Sequence, residues 1–139
     1  MLVKEIMTKN VVTLDRNKTI FDACTLYKEK KIGCLLVTDE ERCVGIATER
    51  NIIERTICSG GDPYETKIGD IMSTDLVTVH ALDKIETAIE YMEFFKIKKL
   101  PVLVNEEIVG IITASDIARA KPDLSERFVD SWVKARWKD

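Results

Sequence analysis

At 139 residues the chain has room for one ordinary domain or two very small ones, and 45% hydrophobic against 32% charged residues marks it as globular rather than disordered. A net charge of −3 argues against general nucleic-acid binding, which draws on a basic excess. No apolar run approaches the roughly 18 residues that a membrane span needs, and Met1-Leu2-Val3-Lys4-Glu5 turns charged too early for a signal peptide, so a cytoplasmic protein with no membrane partner is expected.

In chain order, a short β-branched strand is expected at Val11 to Leu14. Ile20, Ala23, Cys24 and Tyr27 then fall at helical spacing, with Thr19 and Asp22 as the cap. Two strands follow, Cys34 to Thr38 and Cys43 to Ala47, joined by the polar turn Asp39-Glu40-Glu41-Arg42. A helix runs from Thr48 to about Cys58, and Ser59-Gly60-Gly61-Asp62-Pro63 breaks the chain. The pattern then repeats. Leu76 to Val79 reads as a strand, and Ile85, Ala88, Ile89 and Met92 as a helix face capped by Asp83 with Glu86. Leu100 to Val104 and Glu107 to Ile112 form a hairpin, and a helix runs from Thr113 to about Lys121. Beyond Pro122, Leu124, Phe128 and Trp132, with Val129, Val133 and Trp137 one face over, mark an amphipathic helix. It docks on its own chain or meets a second subunit.

The repeat is gapless: Ile6 to Ile52 slides onto Ile71 to Ile117 at an offset of 65 residues. Each copy reads β-α-β-β-α. The fold class is α+β, with two units packed about a pseudo-twofold axis plus the final helix. The division is 1–58, a linker at 59–66, 67–121, and the terminal helix over 122–139. Among the four cysteines, Cys24 and Cys43 align with Ile89 and Ile108 and are expected to be buried as small hydrophobes. Cys34 aligns with Lys99, and its role stays open. No C-x-x-C pair occurs and His80 is the single histidine, so no metal site is expected.

The most telling stretch is Val44-Gly45-Ile46-Ala47-Thr48-Glu49-Arg50-Asn51 and its twin Val109-Gly110-Ile111-Ile112-Thr113-Ala114-Ser115-Asp116. In each a strand changes character at a threonine that is followed three residues later by Asn or Asp, the helix-start pattern. A strand entering a capped helix directs backbone N–H groups at one spot, which suits a phosphate or another polar group. Capping alone also explains the spacing, and Lys98-Lys99 alone would suit a solvated strand edge. Met7 and Met72 read as packing residues and His80 as a turn residue.

The ordered recurrence of Ile-Met-(Thr/Ser), Val-Thr-(Leu/Val), Leu-Pro-Val (in the second copy) and Val-Gly-Ile-x-Thr-x-x-Asp, with Asn51 in place of the aspartate in the first copy, resembles a pair of CBS domains, the Bateman module, over about residues 1 to 121. The resemblance implies a stand-alone regulatory module, not an enzyme, that needs no cofactor and binds an adenosine compound such as AMP, ADP, ATP or S-adenosylmethionine between its two units. It further implies a homodimer that acts on a separate effector protein. Carried over by position, the stronger nucleotide site combines Thr113, Ser115, Asp116, Lys98 and Lys99 with Val12, Ile32 and Gly33. Asp116 would accept hydrogen bonds from the ribose diol, and the lysines would attract phosphate. A weaker site would use Thr48, Arg50 and Asn51 with Val77 and Ile97, since asparagine has one carbonyl acceptor and no charge.

Three other functions compete. One is an S-adenosylmethionine sensor, which Lys98-Lys99 disfavours because the sulfonium is positive. Another is a scaffold that acts through its terminal aromatic helix, with a vestigial nucleotide site. The last is an enzyme using Cys34 or His80, for which no base and orienting group are evident and no catalytic residue is assigned.

Overall fold

The computed structural model describes residues 1–124 and Glu126, so the terminal amphipathic helix, with both tryptophans, lies outside the described residues apart from its first turn. The described chain forms two compact units, each with one three-stranded sheet. In the first-repeat unit, β1 (Thr13–Asp15) pairs parallel with β2 (Cys34–Asp39), which pairs antiparallel with β3 (Arg42–Thr48). The second-repeat unit matches it with β4 (Val79–His80), β5 (Lys99–Val104) and β6 (Glu107–Thr113). The register places Val37 opposite Gly45 and Val102 opposite Gly110, with a bulge just after each. The β-α-β-β-α order is as the periodicity predicts.

The helices are α1 (Val3–Ile6), α2 (Ile20–Lys30), α3 (Glu49–Ile52), α4 (Ile68–Ile71), α5 (Ile85–Phe95) and α6 (Ala114–Ala120). Helix α2 opens on the expected capping box, Asp22 N–H donating to Thr19 Oγ1 at 3.2 Å and Thr19 N–H to Asp22 Oδ2 at 3.0 Å. Helix α5 does not open where expected. Its N-cap is Lys84, whose side chain has no acceptor to offer, while Asp83 accepts the His80 N–H at 2.8 Å in the preceding turn. His80 is the expected turn residue, its Nδ1 accepting from Leu82 N–H at 3.0 Å. Both long helices stop at a left-handed lysine, Lys31 and Lys96. After α3 the backbone widens into a π-helical turn over Ile53–Ile57, so the expected helix to Cys58 is present in a different winding.

Cys24 is a correction. Its counterpart Ile89 is fully buried, but Cys24 is exposed on α2. The buried face of α2 narrows to Ile20 and Ala23, whereas α5 also buries Ile89 and Met92. Cys43 is half-buried, and burial raises its thiol above the ordinary range.

The compact units are not successive stretches of chain. Residues 12–76 form one, and Met1–Val11 joins the described residues from Val77 onward to form the other. Each repeat therefore lends its opening helix to the other repeat's sheet. Val3 N–H donates to Asp83 O at 2.8 Å, and Val3 is fully buried among Ile89, Leu100 and Ile117. Its counterpart Ile68 donates its N–H to Lys18 O at 2.8 Å and is buried with Ile20, Leu35 and Ala47. Each such aliphatic side chain contributes roughly 1.5–3 kcal/mol.

The exchanged segments also explain the glycine of each Val-Gly-Ile run. Thr8 bridges to Ile111 and Ser73 to Ile46, laying Met7 over Gly110 and Met72 over Gly45. A Cβ on Gly110 would stand 2.6 Å from Met7 Sδ and 2.8 Å from the Thr8 carbonyl oxygen. The missing side chain is the space the methionine fills.

Candidate ribose-phosphate site

Asp116 is the buried acid of the second-repeat unit, 6% exposed at the first turn of α6. Strand β6 delivers Thr113 to the N-cap with extended backbone, and the capping box closes in both directions. Asp116 N–H donates to Thr113 Oγ1 at 3.0 Å, and Thr113 N–H donates to Asp116 Oδ2 at 2.9 Å. Ala114 N–H donates to the Lys98 carbonyl at 2.8 Å. Three backbone donors of the junction thus have partners inside the fold, which corrects the expectation of an open row of N–H groups facing a phosphate.

The carboxylate has two further partners that the sequence reading missed. Thr8, on the exchanged opening segment, donates its hydroxyl to Asp116 Oδ2 at 3.5 Å, and Arg119 Nη2 donates to Oδ1 at 2.6 Å. The signal for Thr8 was its place in Ile-Met-Thr, matched by a second hydroxyl at Ser73. Arg119, one turn on from Asp116, carried no signal from the repeat because its counterpart is Glu54. Lys98 and Lys99 enter β5 half-buried, with Lys99 directly opposite Thr113 in the ladder, and Ser115 is exposed on the first turn of α6. Thr113, Ser115, Asp116, Lys98 and Lys99 therefore share one junction, joined by Thr8.

The first-repeat junction has the same cap and different surroundings. Asn51 N–H donates to Thr48 Oγ1 and Thr48 N–H to Asn51 Oδ1, both at 3.1 Å. Ser73, the counterpart of Thr8, accepts from Arg55 Nη1 at 3.0 Å, and the same nitrogen donates to Ile71 O at 2.8 Å. Arg50 is exposed and lies 3.9 Å from Glu54. Val12, Ile32 and Gly33 belong to this unit, whereas Val77 and Ile97 belong to the second-repeat unit.

Half-buried Cys34 faces Thr48 across the ladder and lies near the Tyr27 phenol. Tyr27 donates to Ala47 O at 2.7 Å. Burial, reinforced by Cys34, Glu49 and Cys24, holds its phenol well above the ordinary tyrosine range. Among the described residues no group of three or more His, Cys, Asp or Glu side chains could hold a metal. No described helix is long and apolar enough to cross a membrane.

The comparisons with known proteins agree with this architecture. The CBS-domain family model matches residues 3–57 and 68–123. The chain is 34% identical over 116 residues to the CBS domain-containing protein YhcV of Bacillus subtilis, covering 84% of this chain and 82% of that one. It is 29% identical over 133 residues to hypoxic response protein 1 of Mycobacterium tuberculosis, covering 95% and 91%. Among solved structures, a CBS domain pair in complex with 5′-methylthioadenosine and S-adenosyl-L-methionine superposes with a TM-score of 0.78 at 27% identity, covering 88% of this chain and 97% of that one. Duplicated sheets, paired capping boxes and family matches in both halves lead to one conclusion: the chain is a tandem pair of CBS domains and belongs to that family.

Proposed function

We propose that this chain is a regulatory sensor that binds an adenosine nucleotide at the Asp116 junction and signals to a separate effector protein, without catalysing a reaction. The observation that carries the reading is the buried Asp116 carboxylate set beside the Thr8 hydroxyl and the lysine pair at the start of β5. A carboxylate suits a vicinal diol, and two ammonium groups favour a phosphorylated ligand. The related pair solved with 5′-methylthioadenosine and S-adenosyl-L-methionine supports the adenosine class. A weaker site is proposed at the first-repeat junction, on Thr48, Arg50 and Asn51. Asn51 supplies one neutral acceptor, and Ser73, the counterpart of Thr8, is engaged by Arg55.

The test is a thermal-shift panel of AMP, ADP, ATP and S-adenosylmethionine. A ligand at a hundredfold excess over its Kd stabilises the folded state by about 2.7 kcal/mol, a shift of several degrees. The adenine nucleotides should give the largest shift. A larger shift with S-adenosylmethionine favours the second reading, which the same related complex supports, and no shift with any of them contradicts both.

The proposed partner in assembly is a second copy. Among the described residues Tyr91, Phe94 and Phe95 form an exposed aromatic face on α5, Phe94 being 79% exposed, whereas the matching positions of α2 are Leu26, Glu29 and Lys30. Sedimentation of the intact protein at micromolar concentration should give a dimer mass, and a monomer would contradict this.

A further inference from the structure

The Asp116 carboxylate offers about four lone-pair positions. Three are taken in this structure: Thr113 N–H and the Thr8 hydroxyl on Oδ2, and Arg119 on Oδ1. A ribose diol donating two hydrogen bonds needs two positions, so one present partner must leave. Thr113 N–H cannot go without opening the cap of α6. The Thr8 contact is long at 3.5 Å, but the two-way backbone bridge of Thr8 with Ile111 holds the residue beside Oδ2, so a diol must turn to Oδ1. Arg119 makes the short charge-assisted bond to Oδ1, with its own side chain 73% exposed and the aspartate side chain 5%.

The two repeats differ here in a coupled way. Where the second has Asp116 and Arg119, the first has Asn51 and Glu54, and Glu54 lies instead toward Arg50. The first repeat's nearby cation, Arg55, donates instead to Ile71 O and Ser73 Oγ, so a guanidinium on the cap residue is a feature of the second repeat.

We propose that Arg119 is a latch on the ribose anchor, a specificity-determining residue that a ligand must displace to reach Asp116. This rests on the reading of Asp116 as that anchor. Ligands able to replace the lost ion pair with two hydroxyl donors pass the latch, and those lacking the diol neither open it nor gain from its removal. The arginine end of the pair lies in solvent and can be rehydrated when it swings away, which suits a gate rather than a lock.

The experiment is calorimetry of adenosine and of 2′,3′-dideoxyadenosine against the wild type, Arg119→Gln and Arg119→Lys. The latch predicts that Arg119→Gln binds adenosine about fivefold more tightly, that Arg119→Lys falls between, and that dideoxyadenosine affinity stays the same in all three. Equal or weaker adenosine binding by Arg119→Gln overturns the latch while leaving the Asp116 site intact. Absence of adenosine binding in the wild type and both variants overturns the site reading and the latch with it. Adenosine binding by Arg119→Gln alone supports both.

Discussion

Thr56 is fully buried in the π-helical turn, and its hydroxyl has no hydrogen-bond partner among the described residues. Its carbonyl accepts from Gly61 N–H at 2.8 Å, so the backbone is satisfied while the side chain is not. A buried orphan hydroxyl costs roughly 1–3 kcal/mol. Thr56→Val keeps the shape and deletes the orphan, so it should stabilise the protein by about 1 kcal/mol, read as a higher denaturation midpoint. A lower midpoint would mean the hydroxyl has a partner after all. At this scale the sequence is legible where a side chain answers to its own neighbours. Thr19, Thr48 and Thr113 cap as their spacing says, because the bonds span three residues. It is least legible where the partner is remote. Nothing local ties Thr8 to Asp116, 108 residues on, and Cys24 is exposed although its aligned partner Ile89 is buried.

The strand–glycine–methionine arrangement is the unit that fixes the exchanged segments to their sheets. Both glycines accommodate a methionine, but the consequences of filling them differ. At Gly45 the three atoms nearest to a Cβ all belong to the Met72 side chain, a flexible neighbour, including Cγ at 2.7 Å. At Gly110 it would also press on the Thr8 carbonyl at 2.8 Å, which is backbone held in a two-way bridge with Ile111. Gly110→Ala should therefore destabilise by about 2–3 kcal/mol and Gly45→Ala by about 1 kcal/mol or less. Equal losses in urea denaturation would show that the bridge yields as easily as a side chain. The element order was legible because hydrophobic period and turn chemistry agree. The turn geometry was not. Glu40-Glu41 and Asn105-Glu106 occupy positive φ, and three of the four are glutamates, without the glycine that ordinarily announces such a hairpin. The π-helical turn likewise leaves the 53–57 composition unremarkable.

The duplication is plain in the sequence, yet the exchange of opening helices between repeats is not. An offset of 65 residues reports which positions are equivalent, and Val3 and Ile68 are equivalent in either arrangement. Which sheet each one covers depends on the path of the chain from Thr8 to Val12 and from Ser73 to Val77, where no periodic signal exists. The exchange has a functional consequence in the proposed account. Thr8 is carried to Asp116 by the first eleven residues, so the proposed anchor is assembled from both ends of the described chain. Its carboxylate distinguishes it from Asn51, and that difference is the core of the functional claim. The most direct measurement is calorimetry of AMP with the wild type and Asp116→Asn. The asparagine retains the cap, as Asn51 does in the other repeat, and removes only the charge and one acceptor. The account predicts a loss of about tenfold or more in AMP affinity, the worth of a charge-assisted hydrogen bond. AMP binding of undiminished affinity in the Asp116→Asn protein would contradict it.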